Sequence, residues 1–388
     1  MNITIITYWH DPRLKKKRGG LIRMFALADN LTKLGHDVTM VLPKLGFPKE
    51  QTIARVIEIP FIDVPMLRPI SFHLLSSLYL LWHLKDASMV YVRQMNSFLP
   101  LLIARLYGTP SVYEIPNDPF LAYESSKFIR RIFQTLTDKA AMALSNRIVV
   151  LSEWSKKRLS KMGGISPSKI LVTPSGTDTN IFRPLNKTDC CKEIGLNPSL
   201  LYIGYAGSFF DYEGVDVLID SAPFILNKFP KTKFLLVGDG PMMNDWKLRI
   251  SSKSLQDSFI FTNRVPYTEV HKYISAMDIC VAPHHKETNQ ASPVKLFDYM
   301  ACGRPVVASD IDVVREISED SRCVLLVAPE NPISLANGIL TLLQNEDERI
   351  SRGNLGRTLV LSKYDRQRIT LDLLANISTV INMDNKES

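Results

Sequence analysis

Short runs of apolar, mostly β-branched residues recur along this chain, each leading through a turn into a helical stretch, and nothing else limits its fold as tightly. In the first half these runs are Ile3–Thr7, Val38–Leu42 (VTMVL), Val56–Ile59, Met89–Val92, Ser111–Ile115 and Arg147–Leu151. Helical stretches at Leu21–Leu34, Leu99–Tyr107 and Ile129–Leu144 lie between several of them. A strand that is apolar along its whole length is covered on both faces, and intervening helices make the pairing parallel. The pattern restarts after Pro184–Pro198, with strands at Leu200–Tyr205, Lys233–Val237, Phe259–Phe261, Ile279–Ala282, Pro305–Ala308 and Cys323–Val327. Helices at Val215–Phe229, Thr268–Ala276, Pro293–Met300 and Pro332–Gln344 alternate with them. At 388 residues the chain has room for two cores. The expected fold class is α/β, with two Rossmann-like, doubly wound parallel-sheet domains over residues 1–183 and 184–365. Two such sheets facing a central cleft bind ligands outside the carboxyl ends of their strands. Chemistry is therefore expected in the turns that follow strands.

Four turns stand out. At Arg18-Gly19-Gly20, glycines ahead of a helix let backbone amides approach an anion, and Arg23 adds fixed positive charge one turn on. The same pair is equally a tight turn. Its spacing is not Gly-x-Gly-x-x-Gly, and neither half has that fingerprint followed by an acidic ribose-binding residue, which disfavours a nicotinamide dehydrogenase. The second turn, Gly238-Asp239-Gly240-Pro241, follows the strand Lys233–Val237 and suits close backbone approach to a ligand. At the third, Ser292 is a good N-cap and Pro293 a good first helical residue, so free amides at Ser292-Pro293-Val294-Lys295 make a phosphate site. Lys295 adds a cation there, and Asp298 can accept two hydroxyl hydrogen bonds, as a ribose requires; it also suits the helix dipole without any ligand. The fourth, Ala301–Ala308, reads as scaffolding, and nothing marks Cys302 as an activated thiol.

Charge matters here through its distribution. Residues 1–183 hold 25 Lys/Arg against 13 Asp/Glu, and residues 184–388 hold 22 against 26, a balance of +12 beside −4. A basic half suggests an anionic partner. No helix-turn-helix, RNA-binding or zinc-finger signature accompanies it, so nucleic acid is disfavoured. An anionic membrane surface fits better, because the most lipophilic segment, Ile70–Leu84, lies in the same half. That segment is too short and too often interrupted to span a bilayer, and it reads equally as a buried helix. The start, MNITIIT, lacks the basic lead and long apolar stretch of a signal peptide, and the five cysteines have no pairing or metal-ligand spacing. A cytoplasmic protein with reduced thiols is expected, placed on the inner face of the plasma membrane if it meets lipid.

These motifs, in order, resemble those of retaining glycosyltransferase family 4, with its GT-B architecture. RGGLIRMFALADNLTKLGHDVTMVLP (Arg18–Pro43), NRIVVLSEWSKKRL (Asn146–Leu159), KILVTPSGTDTNIFRP (Lys169–Pro184), FLLVGDGPM, FIFTNRVPYTEVHKYISAMDICVAP and LFDYMACGRPVVASD carry the resemblance. It implies transfer of a sugar from a nucleotide-sugar donor, with retention, to a glycan or lipid-linked acceptor in cell-surface polysaccharide or glycolipid synthesis. It further implies a donor on the second domain, an acceptor on the first, no obligatory metal or other cofactor, and a C-terminal helix near 366–382 packing back on the first domain. By position, Asp298 is implied to hold the ribose, and Ser292–Lys295 the diphosphate. Gly207, Ser208, Gly238 and Gly240 edge the nucleotide pocket, Arg264 and Val265 meet the base, and Gly19 and Gly20 close over the phosphates. Asn117 and Asp118 fall where many relatives have a histidine near the transferred sugar, and with Lys295 they are the catalytic candidates; Glu114 or Asp118 is a candidate base. The sequence departs from the pattern in two places. Gln290 replaces the first of two acidic residues eight apart, and Ser208 and Glu213 stand where an Arg and a Lys are usual. A sugar-nucleotide epimerase, a transferase with a soluble acceptor, and a catalytically degenerate partner subunit are the alternatives.

Overall fold

The computed structural model describes residues 1–8, 19–44, 52–64, 67–95, 97–116, 128–286, 293–319 and 322–387. The chain forms two compact units, Met1–Pro174 with Arg366–Ser388, and Ser175–Asp365.

The first unit is built on seven parallel strands: β1 (Asn2–Ile6), β2 (Asp37–Pro43), β3 (Arg55–Ile59), β4 (Met89–Arg93), β5 (Ser111–Ile115), β6 (Arg147–Val150) and β7 (Ile170–Val172). Their order is β3-β2-β1-β4-β5-β6-β7. β4 and β5 are buried at every residue, the polar Arg93, Ser111 and Glu114 included. On one face, Met24, Ala28 and Leu31 of the helix Gly19–Lys33 share a core with Leu373 and Ile377 of the helix Arg366–Glu387. On the other, Phe72, Leu101, Met142 and Leu159 anchor the helices Leu67–His83, Leu99–Leu106, Phe128–Leu144 and Glu153–Gly163.

The second unit has β8 (Tyr202–Ser208), β9 (Lys233–Asp239), β10 (Phe259–Phe261), β11 (Ile279–Ala282), β12 (Val306–Ser309) and β13 (Val324–Val327), ordered β10-β9-β8-β11-β12-β13. In both sheets the strand order reverses beside the first strand, between β1 and β4 and between β8 and β11. Ligand crevices of open α/β sheets form at such reversals.

The divisions between units differ from the expected ones. The second unit begins at Ser175, because the following residues are fastened inside it. Thr177 bridges to Asp365, Thr179 donates to Asp365 at 2.6 Å, and Phe182 is fully buried against Tyr267. Pro184–Pro198 is not a linker: it holds a helix, Lys187–Glu193, capped by Asn186 and tied by Lys187 to Asp278 at 2.8 Å. β8 and β9 run further than their apolar cores suggest, since Gly207 pairs with Gly238 and Ser208 with Asp239. The five cysteines are buried and none is in a disulfide. Among the described residues no helix is long and apolar enough to cross a membrane.

Candidate functional site

The reversal between β8 and β11 gathers several of the expected residues. β8 ends at Gly207-Ser208, and β9 brings Gly238-Asp239 alongside. The backbone amide of Gly238 donates to the carbonyl of Asn263 at 3.1 Å, which draws the loop containing Arg264 and Val265 to the same edge. Gly238 has φ +141°, and a Cβ there would strike the carbonyl oxygen of Gly207; at Gly240 it would meet the backbone of Phe209 at 2.5 Å. Both glycines are required by the packing of this edge itself. The helix Val294–Ala301 docks beside them through Tyr299, whose hydroxyl donates to the carbonyl of Ala206 at 3.1 Å. Lys295 follows, with its Cε about where a side chain on Gly207 would go, 3.0 Å from an added Cβ.

Lys295 is not a lone cation. Its ammonium donates to Glu213 Oε2 and lies 3.2 Å from His284 Nε2, while that His284 nitrogen is 3.3 Å from the same carboxylate oxygen. It also lies 5.4 Å from the centre of the Tyr205 ring. Glu213 and His284 are buried. Burial raises the Glu213 carboxyl, but Lys295 and the His284 hydrogen bond outweigh it and hold the group down at about 2. Burial first, then Lys295, keeps His284 below the ordinary histidine range and so neutral. The cluster is placed by two turns. Glu213 precedes Gly214, whose φ of +70° suits glycine and whose missing Cβ admits the Pro283 carbonyl. His284 follows β11 by two residues. An ammonium expected to face a diphosphate thus carries its own counter-charge, and the residue standing where a cation is usual supplies it.

Asp298 is also engaged. Only 8% exposed, it accepts a 2.5 Å hydrogen bond from the hydroxyl of Thr177, a fully buried residue. The helix begins one residue later than expected: Pro293 occupies the cap with ψ 88°, Val294 is the first helical residue, and no side chain caps it. Ser292 and Gln290 lie outside the described residues. Arg264 and Ser208 are exposed.

In the first unit the helix starts at Gly19, so Gly19 and Gly20 belong to its first turn and do not form a separate turn before it. Arg23 does not face outward as a phosphate-binding cation. Its guanidinium donates to Glu114 at 3.2 Å, to the Pro174 carbonyl at 2.8 Å and to the Thr173 carbonyl at 3.1 Å. The cause is Glu114, wholly buried at the end of β5, where Tyr91 also donates to it at 2.6 Å and Arg93 lies 3.7 Å away. Burial raises this carboxyl, yet the two arginines bring it below its ordinary value, which is the opposite of a tuned base. Asn117 and Asp118 lie outside the described residues. His284 and Thr177 were not anticipated. The first could have been found by the rule that chemistry follows strands; the second carries no such signal. Among the described residues no group of three His, Cys, Asp or Glu is arranged to hold a metal ion.

Residues 18–181 match the model of Glycosyltransferase Family 4, and residues 200–345 match that of Glycosyl transferases group 1. The chain is 20% identical to an alpha-D-kanosaminyltransferase of Streptomyces kanamyceticus over 69% of its own length and 70% of that protein's. It is 25% identical to a D-inositol 3-phosphate glycosyltransferase of Segniliparus rotundus, over 55% of its length and 48% of the relative's. The crystal structure of Anabaena HepE in complex with UDP superimposes with a TM-score of 0.80, at 16% identity, over 98% of this chain and all of that one. At that identity the likeness establishes the fold. With both of its units matched, the chain belongs to glycosyltransferase family 4 and is a glycosyltransferase of the GT-B type.

Proposed function

We propose that the second unit binds a nucleoside-diphosphate sugar at the β8–β11 reversal, and that the sugar passes with retention of configuration to a glycan or lipid-linked acceptor held by the first unit. The observation that carries this reading is the convergence of Gly207, Gly238 and Lys295 at one sheet edge, beside the start of the helix Val294–Ala301. Helix amides and a fixed ammonium suit the charge that develops on a departing diphosphate, and a site already organised does so without rearranging. Anabaena HepE, which shares the fold, has been solved with UDP and with UDP-glucose, and this lends support. In this reading the leaving phosphate takes the acceptor's proton on the same face of the sugar. That requires neither the carboxylate pair of a retaining glycosidase nor a divalent metal, and it agrees with Glu114 being locked among arginines. The basic character of residues 1–183 and the lipophilic segment in the same half favour an acceptor at the anionic inner face of a membrane, in polysaccharide or glycolipid synthesis.

A thermal-shift screen of nucleoside-diphosphate sugars, followed by anomer-resolved analysis of the product, tests the reading. A stabilising donor and a product of unchanged anomeric configuration are expected. Lys295→Ala is expected to lower kcat, and Asp298→Ala to raise the donor KM. No stabilising donor, or wild-type turnover from both variants, would overturn the site.

A further inference from the structure

The helix Leu67–His83 is apolar on its outward face as well as on its inward one, where Phe72 and Leu80 join the core. Its inward residues also include Ser71, His73, Ser76 and Ser77, all buried, and the hydroxyl of Ser77 has no hydrogen-bond partner. Its outward stripe is apolar: Ile70, Leu74 and Leu78 are each more than half exposed, and Trp82 is 81% exposed. Spaced by four residues, they form one continuous line along the helix. A surface helix of a soluble protein keeps its outward face polar. Exposed apolar surface continues onto the two helices packed next in the same layer, with Leu106 74% and Leu136 62% exposed. Tyr107, just past the end of the second helix, donates to the carbonyl of Leu81 at 3.0 Å and ties the first two together.

We infer that this helix layer of the first unit is a docking face for an anionic lipid bilayer, lying in the headgroup region without crossing it. The charge around it points to that partner. Lys85, Arg105 and Arg131 are exposed on the same three helices or at their ends. Arg105 and Arg147 also lie close enough to Lys169 that, after burial, they are what lowers its ammonium. A line of leucines with an exposed tryptophan, flanked by basic residues, is what a helix lying in an interface presents. This inference deepens the membrane part of the proposed function and rests on it, but its residues belong to the first unit and none is assigned to the donor.

The test is flotation of the full chain with vesicles of phosphatidylglycerol mixed into phosphatidylcholine, compared with phosphatidylcholine alone. The wild type is expected to float with the anionic vesicles and to be released by salt. L74E combined with L78E should reduce the bound fraction about tenfold or more, with an unchanged melting temperature because both side chains point outward. R105E combined with R131E should remove the preference for anionic lipid. Wild-type chain that stays unbound, or an L74E/L78E variant that floats as well as wild type, would overturn the inference. So would sedimentation showing a dimer that the leucine variant dissolves, since the face would then belong to a second copy. The donor-induced thermal shift of the same variants separates the two readings. A normal shift without flotation convicts the face alone, and flotation without any donor shift convicts the donor site alone.

Discussion

At the scale of single residues, the strongest electrostatic commitment in the candidate site is Glu213. Its folded carboxyl sits at about 2 against an ordinary 4.5. A carboxyl depressed in the folded state contributes stability that is present above its unfolded value and lost as pH falls through the folded one. For Glu213 that window runs from just above 4.5 down to about 2, and the shift corresponds to roughly 3 kcal/mol. His284 acts in the same direction from a higher starting point. Burial and Lys295 disfavour its charged form, so acidification below an ordinary 6.5 already costs stability. Glu213→Gln should therefore flatten the melting temperature between pH 5 and 3 relative to wild type, while lowering it at pH 7 because Lys295 loses its counter-charge. Parallel pH profiles for the two proteins would show that the pair carries no such weight. The same variant leaves one more positive charge beside Gly207, so its donor KM should fall if the ammonium meets a diphosphate.

At the scale of elements, the edge formed by β8 and β9 depends on backbone fit. Gly35 and Gly238 both have positive φ, but a Cβ on Gly35 meets nothing within 4 Å whereas one on Gly238 strikes the Gly207 carbonyl. Gly35→Ala should cost about 1 kcal/mol of strain, and Gly238→Ala more than that, roughly 2–3 kcal/mol, with loss of donor binding. Equal melting temperatures for the two variants would mean that this edge yields easily. The contrast also marks what the sequence could disclose. The alternation of apolar runs and helical stretches announced both parallel sheets, and the motif order announced the family. β7 escaped because three residues carry too little pattern. The ends of β8 and β9 escaped because glycines look like turns until a partner strand is known. The pairing of Glu213 with Lys295 spans 82 positions, and no local rule joins residues so far apart. The partner of Arg23 was illegible for the same reason: Glu114 is 91 positions away, and no local pattern joins the arginine to that buried carboxylate.

At the scale of the whole molecule, the chain order and the unit order do not coincide. Arg366–Ser388 returns to the first unit after the second has been completed. Leu373 is 5% exposed and, with Ile377, completes a core built from the first quarter of the chain and strands β4 to β6, and Thr370 receives the Asn30 amide at 3.4 Å. Leu218, fully buried, belongs to a separate core within Ser175–Asp365. Two cores that share no cluster should melt as two transitions in calorimetry. Leu373→Ala removes buried methyl groups at a cost of about 2–4 kcal/mol and should lower one transition; Leu218→Ala should lower the other. UDP bound at the β8–β11 reversal should raise only the transition that Leu218→Ala lowers, by about 2.7 kcal/mol at a hundredfold excess over its dissociation constant. If UDP instead raises the transition sensitive to Leu373→Ala, the nucleotide is held by the first unit and the proposed division of labour is reversed. If one cooperative transition moves with both substitutions, the two cores unfold as a single body, and the returning helix is the covalent link through which a defect in one reaches the other.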